Sequence, residues 1–331
     1  MLKERKIYTV KLFEMKKKAL IFGVTGQDGT LLSNFLLKKN YKIWGTSRFI
    51  ETSNFESLKT LKILNKINIE KLNTENFTHT YEFIDKIKPN EIYFLGGQSS
   101  VGYSYLFPNR TLNSNIKSFV NILESSKKIN SKIKIFYAGS SECFGETKKR
   151  GANEKTKFNP ISPYAISKVT SIWLSDMYRS SYDMFVSNGI LFNHESSLRP
   201  KKFVTKKIIT AAYLISKNKR KKLSVGDINI SRDWGWAEEY VKAMWLILQQ
   251  PKSENFVIGT GKSNSLKKFI ELAFNQFGLN WEDHVEINEK FIRPNDILYS
   301  CANPKKANEK LGWSSKLELE EIISKISEDI I

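Results

Sequence analysis

The 331-residue sequence carries two sets of side chains whose types and spacing suit the movement of protons and hydride. Tyr164-Ala-Ile-Ser-Lys168 sets a phenol and an ammonium four residues apart, hence on one face of a helix with about 3.6 residues per turn. An ammonium beside a phenol stabilises phenolate, so the pair is expected to lower the Tyr164 pKa and let it take a hydroxyl proton as hydride leaves the same carbon. Upstream, Ser140-Ser-Glu142 offers a hydroxyl that can hydrogen-bond the reacting oxygen. Glu142 adds a carboxylate that simple alcohol oxidation does not need, whereas removal of a proton next to a new carbonyl does. Locally, Tyr-x-x-x-Lys also fits an amphipathic surface turn and Ser-Ser-Glu a helix cap. The placement of Tyr164 one strand and loop after Ser140 favours chemistry.

A second kind of signal concerns a bound dinucleotide. Gly23-Val-Thr-Gly-Gln-Asp-Gly29 directly follows a short apolar run, where glycines let backbone approach a pyrophosphate at a positive helix N-terminus. A tight strand-to-helix turn is the plainer reading of such a triplet, but the strand, the helix pattern and the N-terminal position are all present. An NAD-preferring site places an acidic residue after the second strand. Here that segment ends Gly45-Thr-Ser-Arg48. A guanidinium suits a 2′-phosphate through charge-assisted, bidentate hydrogen bonds, so NADP is the expected cofactor.

These groups need elements to hold them. Strands are predicted at 18–23, 41–46, 91–95, 134–139 and 184–191, with helices between them, including one from about Leu31 to Asn40 and others over 111–128 and 163–182. That alternation predicts an α/β fold, a doubly wound parallel Rossmann-type sheet with helices on both faces and its site at the C-terminal strand edge. After Phe192 the alternation becomes irregular, with helices near 204–218, 237–249 and 266–277. The division predicted is an N-terminal extension over 1–15, an NADP-binding domain over 16–192 to which some later segments return, and a smaller C-terminal α/β cap over 193–331 that mainly binds the substrate.

Composition narrows the function classes. The net charge of +19, from 53 Lys and Arg against 34 Asp and Glu, attracts anions. Its lysines are scattered rather than gathered in one arm, which favours phosphorylated small molecules over nucleic acid or membrane. No apolar run reaches the roughly 18 to 20 residues of a transmembrane helix, and residues 1–18 lack the apolar core of a secretory signal, so a cytoplasmic protein is expected. Cys143 and Cys301 are too few for a disulfide framework, and His79, His194 and His284 lack metal-ligand spacing, so no metal is expected.

With these residues in view, the sequence resembles the GDP-mannose 4,6-dehydratases among the extended short-chain dehydrogenases. The resemblance runs from about Lys16 and rests on the 23–29 segment, Gln98-Ser-Ser-Val101, Ser140-Ser-Glu142, Ser162-Pro-Tyr-Ala165 with Lys168, Asn188-Gly-Ile-Leu-Phe-Asn-His-Glu-Ser196, Phe203-Val-Thr205, Arg232-Asp-Trp-Gly235 and Arg293-Pro294. It implies a redox-neutral cycle. Hydride leaves C4 of mannose for NADP, Glu142 removes the C5 proton and assists loss of the C6 hydroxyl as water, and the hydride returns to C6, giving GDP-4-keto-6-deoxymannose. Tyr164 would take the C4 hydroxyl proton, Lys168 would also hold the nicotinamide ribose, and Ser140 stands where the family has threonine.

The resemblance also implies cofactor contacts at Gly23, Thr25, Gly26, Gln27, Asp28, Gly29, Arg48, Asn73, Tyr164, Lys168, Leu191, Asn193 and His194, the last read as structural rather than as a general base. Gln98, Ser99, Ser140, Asn193 and Val204 would contact the sugar nucleotide, Lys207, Arg232 and Arg293 its diphosphate or surroundings, and Asp296 its ribose or guanine. There are departures. Ser47-Arg48-Phe-Ile-Glu51 keeps one arginine where the family pairs arginines and serines across subunits, leaving homodimer and homotetramer both open. Asn73 replaces an aspartate, the 197–202 loop differs, and Met15 is a candidate initiator after a 1–14 extension. A related GDP-sugar such as a GDP-heptose, a reductase or epimerase of the same fold, and a non-catalytic dinucleotide-binding protein stay open as alternatives.

Overall fold

A computed structural model of the protein describes residues 16–48, 50, 55–291 and 295–330. The 1–15 extension and Arg293 lie outside the described residues. Strand β1 (Lys18–Phe22) is buried on both faces: Leu20 and Phe22 enter one apolar cluster, Ala19 and Ile21 another. That period-2 division of a continuous apolar run is what a central parallel strand requires. Around it run β2 (Lys42–Ser47), β3 (Asn68–Lys71), β4 (Glu91–Phe94), β5 (Lys134–Ser140) and β6 (Val186–Leu191). A seventh strand, Asn255–Ile258, joins β6, giving the spatial order Asn255–Ile258, β6, β5, β4, β1, β2, β3. All six pairings are parallel. The chain builds outward from β1 to β3 and then returns to place β4 beside β1, which opens a crevice at the C-terminal ends of β1 and β4.

One face of the sheet is covered by helix α1 (Gln27–Lys38) and by Ala237–Leu248, through Leu31, Leu32, Leu36, Tyr240, Val241, Met244 and Ile247. The other is covered by Phe77–Ile87, Ser118–Ile129 and Pro163–Tyr182. A third core lies within the later chain, where Val204–Ser216, Leu266–Asn275 and Leu319–Glu328 pack with Trp234 and Trp236.

Several elements differ from the sequence reading. Strand β3 carries the polar run Asn-Ile-Glu-Lys and is buried at neither end, because it is the sheet edge and needs no two-sided apolar pattern. The strand Asn255–Ile258, which the sequence reading did not place, pairs with β6, and Ala237–Leu248 packs beside it. The helix expected over 111–128 is broken: Pro108–Leu112 passes through a π-helical turn at Asn113–Lys117 before Ser118–Ile129. Among the described residues no helix is long and apolar enough to cross a membrane, and no group of three His, Cys, Asp or Glu side chains could hold a metal ion.

Because Ala237–Leu248 completes the core of the sheet, Met244→Ala, at a fully buried position, is expected to lower the unfolding free energy by about 2–5 kcal/mol in urea denaturation.

Candidate active site

The loop after β1 is shaped by close backbone approach. Gly23 has φ +85°, and a Cβ there would meet the Gly96 backbone at 2.9 Å. Gly29, in the first turn of α1, sits so near that a Cβ would lie 2.2 Å from the Gly23 carbonyl oxygen. No other residue fits this cradle, which leaves the helix N-terminus at Gly26 without a side-chain cap. Gln27 and Asp28 face inward. Gln27 Nε2 donates to the His194 carbonyl (3.2 Å) and Ser196 Oγ donates to Gln27 Oε1 (2.9 Å). His194 spans Asp28 Oδ2 at 2.9 Å and the Phe192 carbonyl at 2.7 Å, and its ring stacks on Tyr240 at 4.5 Å. Burial by itself would raise the Asp28 pKa, but the imidazole and its hydrogen bond hold it down to about 2. Burial works against a charged His194 too, and the Asp28 carboxylate outweighs it, raising the imidazole pKa. Both ring nitrogens are thus engaged in joining the glycine loop to the end of β6.

The register Ser47↔Lys71 brings the ends of β2 and β3 together. Arg48 and Asn73 there line a cavity of about 520 Å³ with Lys71, Glu75 and Arg110 among its walls. Lys71 and Arg110 were missed by the sequence reading. Recognition of β3 would have placed Lys71; nothing local marks Arg110.

At the crevice, Ser140 ends β5 and the helix Pro163–Tyr182 presents Tyr164 and Lys168. Ser162 caps that helix through Ala165 N at 3.1 Å, and Pro163 occupies the first turn where its missing N–H costs nothing. Ser140 hydrogen-bonds Tyr164 and also accepts from Glu142 N at 3.3 Å. Glu142 stands half-buried in the turn Ser141–Phe144. The four groups therefore meet, but the electrostatics differ from expectation. The Tyr164 pKa is raised, first by burial, against the lowering influence of Ser140, and further by the Glu142 charge. Lys168 does not offset this: its Nζ donates to the Ala138 carbonyl at 2.9 Å and lies 5.6 Å from the Tyr164 ring centre. Burial lowers the Lys168 pKa to about 8.

Asn115, in the π-helical turn and also missed, ties this helix to the loop after β4. Its amide donates to the Gln98 carbonyl (3.1 Å) and to Ser167 Oγ (2.9 Å) and accepts from Gln98 N (2.8 Å). Ser167 lies between Tyr164 and Lys168 and donates to the Tyr164 carbonyl at 2.7 Å. The Gln98 side chain turns back on Ser100, and Ser99 is exposed beside it.

Beyond β6, whose last residue Leu191 is buried, Asn193 is half-buried in a short strand, Asn193–Glu195, paired with Trp234–Trp236. Buried Glu195 accepts from Thr205 Oγ1 at 2.7 Å and pairs with Arg199 at 3.1 Å, while the Arg199 guanidinium covers the Phe203 ring at 3.8 Å. Arg199 lies near enough to act on the charges of Asp28, His194 and Tyr164. The sequence places Arg199 in a divergent loop but gives it no role at the site. Val204 opens the helix that carries Lys207, whose Nζ donates to the Ser224 carbonyl at 2.7 Å. Arg232 and Asp296, expected as separate ligand contacts, hold each other at 2.9 Å, and Arg232 also donates to the Ile297 carbonyl at 2.6 Å.

This arrangement offers a glycine cradle for a dinucleotide, a hydroxyl pair to hold a substrate oxygen, and a carboxylate to take an adjacent proton. A family model for GDP-mannose 4,6 dehydratase matches residues 20–326. The chain is 39% identical over 328 residues to GDP-mannose 4,6 dehydratase 1 of Arabidopsis thaliana, covering 95% of this chain and 90% of that one. It is 34% identical to GDP-mannose 4,6-dehydratase of Vibrio cholerae, covering 96% and 94%. Among solved structures it is similar to UDP-glucose 4-epimerase of Thermotoga maritima with UDP-glucose, at a TM-score of 0.84, 22% identity and coverage of 94% and 98%. It is also similar to dTDP-glucose 4,6-dehydratase of Bacillus anthracis in complex with NAD, at 0.81, 20% identity and 95% of each chain. At such identities the likeness is one of fold.

The buried ammonium of Lys168 has a consequence for stability. Below pH about 8 the folded state carries the full cost of burying the charge. Between about 8 and the ordinary value of 10.5 the unfolded chain binds more protons, so stability rises with pH. Lys168→Met is expected to raise the thermal midpoint of the cofactor-free protein at pH 7, with the gain shrinking as pH climbs through that window, as followed by calorimetry.

Proposed function

Because the chain belongs to the GDP-mannose 4,6-dehydratase family, we infer that it is a hydro-lyase that converts GDP-mannose to GDP-4-keto-6-deoxymannose. The observation that carries this reading is the position of Glu142 next to the Ser140–Tyr164 pair at the end of β5. A nicotinamide dinucleotide fits the cradle at Gly23 and Gly29, and when bound it supplies the acceptor and donor of the hydride that moves from C4 to C6. Ser140 and Tyr164 grip the C4 oxygen, and Tyr164 takes its proton as phenolate, the form that the cationic nicotinamide, when bound, would favour against the raised pKa that burial gives the phenol. Lys168, held on the Ala138 carbonyl 5.6 Å from the Tyr164 ring centre, would hold the nicotinamide ribose when the dinucleotide is bound. Glu142 removes the C5 proton, acidified by the C4 carbonyl, and assists departure of the C6 hydroxyl as water.

The cations that share the cavity with Asn73 favour NADP over NAD, with Arg48 as the principal 2′-phosphate ligand and Lys71 and Arg110 beside it. Asn193, Val204 and Lys207 flank the sugar-nucleotide side, and the Arg232–Asp296 pair borders it. Ile166, Trp173 and Met177 stand exposed on the helix Pro163–Tyr182, which favours a homo-oligomer that covers them.

Incubation with GDP-mannose in deuterated water is expected to yield a 4-keto-6-deoxy product with deuterium at C5, read by NMR. Unchanged GDP-mannose, with dinucleotide bound, would overturn the reading. Glu142→Gln is expected to slow product formation about 100- to 10,000-fold while still reducing the cofactor on addition of substrate, seen as near-ultraviolet absorbance. Arg48→Ala is expected to weaken NADP binding at least tenfold while leaving NAD binding nearly unchanged, by titration calorimetry; equal losses would overturn the NADP preference.

A further inference from the structure

One aromatic ring beside the helix Val204–Ser216 is turned outward although a cation of that helix covers it. Strand Val285–Ile287 pairs in parallel with Leu223–Val225 and runs into a short turn at Glu289–Phe291. Asn288 N donates to the Val225 carbonyl at 2.8 Å and Phe291 N to the Asn288 carbonyl at 3.0 Å, so the turn is held at its base. The Phe291 side chain is 52% exposed. Lys207 Nζ lies over the ring at 4.2 Å from its centre.

Lys207 itself is an unusual surface cation. Its ammonium is partly desolvated and pressed by the like charge of Arg220, both of which lower its pKa. Its hydrogen-bond partner is a carbonyl, that of Ser224, and no carboxylate of the described residues stands within ion-pair distance of it. A scattered exposed aromatic needs no explanation. A desolvated ammonium that lacks an anion, set against a ring still half open to water, matches a ligand that brings both an anion and a flat heterocycle.

We propose that Phe291 is the stacking platform for the nucleobase of the sugar nucleotide, with Lys207 fixing one side of the ring and facing the diphosphate. This assignment rests on the reading of the substrate as a GDP-sugar. Stacking on the ring gives affinity for a purine without choosing among purines, and the cation beneath the ring strengthens it by polarising the π-face.

The test is titration calorimetry of the full-length protein loaded with NADP, using GDP and inorganic pyrophosphate as probes. For Phe291→Ala the GDP Kd is expected to rise on the order of 10- to 100-fold, with pyrophosphate affinity unchanged and NADP binding intact; Phe291→Trp is expected to keep GDP affinity within a few fold of the native protein. Unchanged GDP affinity in Phe291→Ala, or an equal loss for pyrophosphate and GDP, would overturn the platform and leave the GDP-sugar reading standing. Failure of the native protein to bind GDP would overturn that reading, and the platform with it.

Discussion

The ion pair between Asp28 and His194 is the contact on which the rest of the site depends. Asp28 belongs to the first turn of α1 and His194 to the segment just beyond β6, 166 residues later. Joining them fixes the glycine cradle against the segment that follows β6. The pair is largely withdrawn from water, His194 at 11% and Asp28 at 23% exposure, so an unpartnered charge there is costly and each group stabilises the other. Gln27, hydrogen-bonded to both the His194 carbonyl and Ser196, doubles the connection, and Tyr240 supports the imidazole from the helix behind.

A similar economy governs the reacting groups. Tyr164 and Lys168 are both buried, at 8% and 7% exposure, and burial disfavours phenolate and ammonium alike. The fold accepts this cost because a dry pocket strengthens each electrostatic contact made with a substrate. Asn115 carries much of the positioning: from a π-helical turn it reaches both the loop after β4 and the turn between Tyr164 and Lys168. A regular helix places consecutive turns differently, and such one-turn bulges recur where a side chain must be re-aimed.

The later chain is assembled around another buried carboxylate. Asp233 is fully buried and accepts from Thr260 N and Oγ1, Gly261 N and Ala302 N, at 2.8 to 3.1 Å. Burial raises its pKa even against those donors. Its neighbour Arg232 is thereby held where it meets Asp296, so the positions of both are set by contacts between segments more than 60 residues apart.

Much of this was legible in the sequence because it is local. The apolar run of β1, the glycines after it, and the four-residue spacing of Tyr164 and Lys168 are properties of short segments, and each specifies its own geometry. The resemblance of several such segments to one family identified the chemistry. Edge strand β3 and the returning strand Asn255–Ile258 were not legible, since one has no apolar periodicity and the other is an ordinary apolar run whose partner only folding selects. The raised Tyr164 pKa, the engagement of Arg232 with Asp296, and the presence of Lys71, Arg110, Arg199 and Asn115 at the site were decided by tertiary structure. Burial and distance set those energies, and neither is a property of residues taken in order along the chain.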